Sequence, residues 1–247
     1  MVDKPDFGNE HKDDDWGCTH TEVTSSANSK IHLCHVNISD LEKIALELSQ
    51  SVMDTSWIMD MDEGARRSYK RTAFDTANSL IEVFNTTIDT NKVAGEFGEL
   101  MVSMGSSRSL DVIFQHISLP ISELWKPQRK QNEGFDFHTV CNENIINFGE
   151  AKFKSLPAAS PVSAAADQAN SFFSEDKHFR DRVHLVNLVH DDAISNLNKG
   201  LCGMVIAFSM NAIDPLTVYK NAISKVESLS FFDEIDNVYI VGVRHED

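Results

Sequence analysis

Glu150 and Lys152 stand two residues apart in the run Asn147-Phe148-Gly149-Glu150-Ala151-Lys152. The run reads as the end of a β-strand, Ile145 to Phe153, whose apolar part is Ile145, Ile146 and Phe148. Side chains alternate across a strand, so the carboxylate and the ammonium leave one face. Charges at a buried strand end are costly unless a partner or a function holds them. Asp136 lies on the preceding predicted strand, Phe135 to Cys141, and Asn142-Glu143-Asn144 between the two strands predicts a hairpin turn. The hairpin carries Asp136 toward Glu150. Two carboxylates and a lysine at one sheet edge suit phosphodiester hydrolysis. Carboxylate oxygens hold Mg²⁺ (or Mn²⁺) and leave positions for water and phosphate. The ion polarises the phosphoryl oxygen and acidifies bound water. The lysine orients that water or offsets charge developing on the phosphate.

The elements that must position these residues follow from periodicity. Lys30 to Asn37 alternates as a strand. A helix capped by Ser39 or Asp40 runs through Leu41, Ile44, Leu48 and Val52. Further helices are predicted over Glu63 to Phe84, Lys92 to Met104, Val162 to Phe173, Lys177 to about Leu197, and from Pro215 to Leu229. Strands are predicted over Asp111 to Ile117, with Ile121 to Leu124 extending or following it, then over Met204 to Phe208 and Val238 to Val243. Charged residues around Pro127 and the segment Leu156 to Pro161 read as loops. Residues 1–29 show no clear periodicity. The expected class is α/β: a central mixed sheet flanked by helices over residues 91–247, with a mainly helical N-terminal region, residues 1–90, packed on it.

Asp136, thirteen intervening residues, then Glu150-x-Lys152 resembles the PD-(D/E)XK nuclease superfamily, although Phe135 replaces the nominal proline. The superfamily's core order is α-β-β-β-α-β, and Lys92 to Phe208 reads in that order. The resemblance implies Asp136, Glu150 and Ala151 as metal contacts and Asp136, Glu150 and Lys152 as catalytic residues. It also implies a metal-proximal glutamate on the first core helix. Gly95-Glu96-Phe97-Gly98-Glu99 offers two, and Glu99 is preferred because Glu96 sits where an acid complements the helix dipole. Asp167-Gln168-Ala169-Asn170-Ser171-Phe172 is similar to the Gln-x-x-x-Tyr motif of RecB-like exonucleases with Phe172 in place of tyrosine, which makes Gln168 a candidate substrate or metal-shell contact. Together with overall length, the Gly-Glu-x-x-Gly-Glu, Gly-Phe-Asp and Gly-Glu-Ala-Lys motifs resemble the HamA (DUF1837) family, the nuclease subunits of the Hachiman antiviral defence system. That resemblance implies a deoxyribonuclease working with a helicase partner.

The charge balance bears on the substrate. The chain has 22 Lys+Arg against 38 Asp+Glu, a formal net charge of −16. Phosphate-backbone binding is largely electrostatic, so a free-standing nonspecific DNA binder of this charge is disfavoured and a partner that grips DNA is favoured. The densest basic cluster is Arg66, Arg67, Lys70 and Arg71 on one predicted helix. It reads as a contact with phosphate or with an acidic partner or, slightly favoured, as a solvated face. Cys18, His20, His32, Cys34 and His35 match no established zinc-ligand spacing, and Asp13-Asp14-Asp15 reads as a solvated run. The polar, acidic first twenty residues lack the apolar run of a secretory signal, and the longest apolar stretch, Cys202 to Phe208, is too short to span a bilayer. With four unpatterned cysteines, the expectation is a cytoplasmic protein with reduced thiols and no membrane partner. His190-Asp191-Asp192 lacks the other ligands of a metal phosphohydrolase. No serine-hydrolase, phosphate-loop or zinc-protease motif is present. The rival reading is a non-catalytic acidic binding subunit with a nuclease-like fold, against which the intact Asp136, Glu150 and Lys152 set argues.

Overall fold

The computed structural model describes residues 4–90, 92–93, 95–126, 134–155 and 161–245. In chain order these form β1 (Asp6–Asp13), β2 (Cys18–Thr24), β3 (Ile31–Ile38), α1 (Leu41–Met53), α2 (Ser56–Met59), α3 (Glu63–Thr90) and α4 (Gly95–Phe114). Then follow β4 (Ile117–Ser118), α5 (Ser122–Trp125), β5 (Phe137–Val140), β6 (Ile146–Lys152), α6 (Val162–Ser174), α7 (Lys177–Leu185) and α8 (Asp191–Asn198). The last are β7 (Gly203–Ser209), α9 (Pro215–Glu227) and β8 (Asn237–His245). The expected loops at Pro127 and at Leu156 to Pro161 fall largely outside the described residues.

One eight-stranded sheet runs in the order β1-β2-β3-β8-β7-β6-β5-β4. Its middle four strands, β3, β8, β7 and β6, are parallel to one another. Antiparallel pairs extend it on both sides. Parallel strands covered on both faces read as continuous apolar runs, and all seven residues of β7 are buried. One face carries Phe148, which meets Phe173 of α6 and His178 of α7 at ring-centroid distances of 5.8 and 5.9 Å. The other face carries α4. It is buried along most of its length, and Ser103, Ser106, Ser107 and Ser109 let it sit close to the sheet. The fold is therefore the mixed α/β sheet with flanking helices that the patterning predicts.

Several local expectations are corrected. The N-terminal ninety residues supply three strands besides three helices, and β3 joins β8 directly, so the sheet continues through them. The strand expected over Asp111 to Ile117 is helix as far as Phe114, because Leu110 and its neighbours extend the buried side of α4; only Ile117–Ser118 are extended. Ile121 to Leu124 is mostly the short helix α5. The single helix expected over Lys177 to Leu197 is two, α7 and α8, with His190 capping α8 by accepting from the Asp192 N–H. That cap accounts for His190-Asp191-Asp192 structurally. Among the described residues no helix is long and apolar enough to cross a membrane. All four cysteines are free and buried.

Candidate active site

The β5–β6 hairpin places the two carboxylates. Phe137 pairs with Gly149 and Val140 with Ile146, so the register sets Asp136, just before β5, opposite Glu150. The turn closes with Cys141 N–H donating to the Ile145 carbonyl (3.1 Å) and with Asn144 at φ 57°. Asparagine tolerates that left-handed conformation better than most residues. Gly149 is required: a Cβ there would lie 2.5 Å from the Phe137 ring. The Asp136 N–H donates to the Gly149 carbonyl (2.8 Å), and the Ala151 N–H donates to Asp136 Oδ2 (2.8 Å). These bonds fix the Asp136 carboxylate at the end of β6. Glu150 is fully buried, and its Oε1 accepts from Lys152 Nζ at 2.6 Å. The Lys152 side chain retains 25% exposure, so the ammonium sits at the mouth and the carboxylate at the floor.

Two more carboxylates act on this pair. Glu99 on α4 is exposed, and its charge raises the proton affinity of Asp136 and Glu150. Glu123 on α5 is a residue that sequence reasoning missed; its carboxylate couples to that of Asp136. Nothing in Ser122–Trp125 marks it, since an acid in a short apolar segment carries no motif. Glu150 Oε2 and Glu123 Oε2 are both buried and have no hydrogen-bond partner. Buried carboxylate oxygens without donors are high in energy unless protonated or facing a cation. The donor set is hard oxygen, the kind Mg²⁺ and Mn²⁺ take. These carboxylates therefore suit a divalent cation by their chemistry, while among the described residues no three of their oxygens lie within 4.8 Å of one another.

Titration follows from the same crowding. Burial, then the Asp136 carboxylate, pushes Glu123 up to about 7. Burial pushes Asp136 up to about 6, against the Ala151 N–H and the two lysines Lys152 and Lys126. Burial and Asp136 hold Glu150 well above the usual carboxylate range. For Lys152, burial acts to lower its proton affinity, but the carboxylates, Glu150 foremost, outweigh it and raise it. A carboxyl raised in the fold is neutral and harmless below its unfolded value near 4.5, and its penalty is complete above about 7. For Glu123 that penalty is on the order of 3 kcal/mol. Glu123→Gln is therefore expected to be more stable than the unaltered chain in EDTA at pH 8, by about 2–3 kcal/mol. The difference should vanish near pH 4, and Mg²⁺ should narrow it at pH 8. Thermal unfolding at both pH values checks this; equal stability at pH 8 contradicts it.

A second buried network holds the Gly134-Phe135-Asp136 corner. Lys126 Nζ donates to the Phe135 carbonyl (2.6 Å) and to Asp181 Oδ2 (2.8 Å). His138 Nε2 lies 3.1 Å from the same oxygen. Burial lowers the proton affinity of His138 against the opposing pull of Asp181, and the carboxylate oxygen beside Nε2 can only accept. Asp181 is the reverse case: burial acts to raise it, but His138 and Lys126 hold it below its usual value. Lys126, Asp181 and His138 are further residues that the sequence did not mark.

The other sequence candidates are placed as follows. Gln168 is half-buried on α6, the helix covering the face from which Glu150 and Lys152 project. Phe172 packs edge-on against Phe135 (5.4 Å), where a hydroxyl is not needed. The basic cluster lies on the first turns of α3. Arg67 and Arg71 pair along the helix with Glu63 (2.6 Å) and Asp75 (3.9 Å), and Arg66 donates to the Met61 carbonyl (3.0 Å). Much of its donor capacity is thus engaged within the N-terminal region. Glu99 depends on Gly98: a Cβ there would lie 2.3 Å from the Phe153 ring, which continues β6. Gly98→Ala is expected to force α4 from the strand end, costing about 1–3 kcal/mol, and to impair any reaction that needs Glu99. Urea unfolding beside an activity assay tests it; unchanged stability rules the contact out.

No family model, curated protein or solved structure matches the chain.

Proposed function

We propose that this chain is a divalent-metal-dependent deoxyribonuclease of the PD-(D/E)XK type, hydrolysing DNA phosphodiester bonds. One observation carries the reading: Glu150, fully buried with an orphaned oxygen, faces Asp136 across a hairpin with the Lys152 ammonium on its own face. The segment α4-β4-β5-β6-α6-β7, with α5 intervening after β4 and α7 and α8 after α6, follows the superfamily's α-β-β-β-α-β order and so supports the same reading.

Asp136, Glu150 and the Ala151 backbone are the proposed contacts of Mg²⁺ or Mn²⁺, with Glu99 and Glu123 adding negative charge around them. The bound cation would polarise the scissile phosphate and acidify a water. Lys152 holds its proton against burial and presents an ammonium at the mouth, where it orients the attacking water or offsets charge on the phosphate. Lys126 and the Ala151 N–H hold Asp136 in place rather than touching substrate. Gln168 lies on the covering helix as a substrate contact.

Four carboxylates and a net charge of −16 repel a phosphate backbone, so DNA delivery by a partner completes the reading. By resemblance to the HamA family, that partner is a helicase, and the chain is the effector of an antiviral defence complex. The test is to purify the chain from its own host with whatever co-purifies and incubate it with plasmid and linear DNA. Cutting in Mg²⁺ that stops in EDTA, with an ATP-dependent helicase in the preparation, supports both parts. Cutting without a helicase leaves only the nuclease; no cutting in any fraction or metal defeats it.

A further inference from the structure

A second cluster lies at the other end of the sheet. Asp13 and Cys18 pair across the last rung of the β1–β2 hairpin, and His20 follows Cys18 by two residues. Residues opposed on an antiparallel pair share a face, as do residues two apart, so the three side chains converge. All three are buried, and one ligand atom from each lies within 4.8 Å of the others. His20 Nε2 is 3.4 Å from Cys18 Sγ and 3.4 Å from Asp13 Oδ2. Tetrahedral sites with metal–ligand bonds of about 2.0–2.3 Å have ligand–ligand edges of roughly this length.

We propose that Asp13, Cys18 and His20 form a zinc site, with water as the fourth ligand. A thiolate, an imidazole and one carboxylate select Zn²⁺ over Mg²⁺, whereas the all-oxygen set around Glu150 does the opposite. Asp13 is already aimed. Its Oδ1 accepts from the Trp16 N–H (3.3 Å), and its Oδ2 accepts from Arg108 Nε (2.9 Å). Arg108 in turn is held by Asp111 (2.7 Å), which balances its charge. Such outer contacts orient a carboxylate ligand, and a carboxylate keeps lone pairs for the ion beyond these two bonds. Burial, then the Asp13 charge, pushes the Cys18 thiol up to about 12, so metal binding must displace its proton. The site closes the turn 14–17 and ties the edge hairpin to α4 through Arg108. His32, Cys34 and His35 take no part: Cys34 is fully buried on β3, and His35 Nδ1 lies 3.1 Å from the Tyr219 hydroxyl.

The test begins with the intact chain. Metal analysis of the purified protein is expected to find stoichiometric zinc. After chelator stripping, Co²⁺ alone is expected to produce a thiolate-to-cobalt charge-transfer band together with tetrahedral visible bands, saturating at one ion. Cys18→Ser should lose the charge-transfer band, and His20→Ala should weaken Co²⁺ binding. Glu150→Gln should keep both spectra, which separates this site from the carboxylates. Wild-type chain that carries no zinc and gives no tetrahedral cobalt spectrum overturns the proposal, whatever the variants do. An unchanged charge-transfer band in Cys18→Ser also overturns it.

Discussion

Glu150→Gln is expected to lower DNA cutting by ~10³-fold or more, and Lys152→Ala by about 10²–10³-fold, for different reasons. Glutamine keeps the shape and a hydrogen-bond acceptor for Lys152 but removes the buried negative charge that the cation needs. Its cutting should therefore fail to saturate with Mg²⁺. Alanine at position 152 leaves Asp136, Glu150 and Glu123 intact and removes a competing positive charge 2.6 Å from Glu150. Its residual cutting should saturate at the same Mg²⁺ concentration as wild type, or lower. Single-turnover cleavage across a Mg²⁺ series reads both. Wild-type rates in either variant, with the fold intact by circular dichroism, would sink the assignment of these residues.

Asp181→Ala is the largest expected loss of stability. The carboxylate is shared by Lys126 and His138, whose side chains are 13% and 0% exposed against 6% for Asp181. Removing one partner of a buried pair strands the other charge, a loss of about 3–5 kcal/mol. For a chain of this size that lowers the unfolding midpoint by roughly 10 °C. The sign with pH follows from Asp181 being held below its usual value. Its contribution is complete above the ordinary carboxylate value near 3.8 and is lost as the pH falls through the lower value it has in the fold. The gap between variant and wild type should therefore be widest near pH 7 and close in strong acid. Thermal scans at neutral and acid pH check this, and a variant matching wild type at pH 7 refutes the network. Lys126 also donates to the Phe135 carbonyl next to Asp136, so the variant is expected to lose activity as well.

How much of this was legible in the sequence depended on whether a segment's environment wrote a period into it. Glu150, Lys152 and the pairing with Asp136 could be read because β6 is apolar up to its charged end and the turn after Cys141 is short. The cap on α1 was equally plain, and Asp40 accepts from the Lys43 N–H as expected. β1 was invisible because it is a sheet edge, exposed along seven of its eight residues, so no alternation separates an inner from an outer face. The end of α4 was misread as strand because its half-buried last turn, Asp111 to Phe114, is too short to show a helical period of its own. Glu123, Lys126 and Asp181 could not be assembled, because they come from three separate elements and meet only through the tertiary fold. Asp13 belonged to a triplet that looked solvated, and only its pairing with Cys18 turns it inward.

Cation binding by the intact chain is the most direct test, since it needs neither DNA nor a partner. Mg²⁺ and Mn²⁺ should be titrated calorimetrically into wild type and Glu150→Gln at pH 6 and pH 8. The expected result is binding to wild type that tightens with pH, as Glu123, Asp136 and Glu150 give up protons to the ion, and loss of that binding in the variant. Wild type that binds neither ion at millimolar concentration, or a Glu150→Gln chain that binds as wild type does, would contradict a metal-dependent nuclease site at these carboxylates.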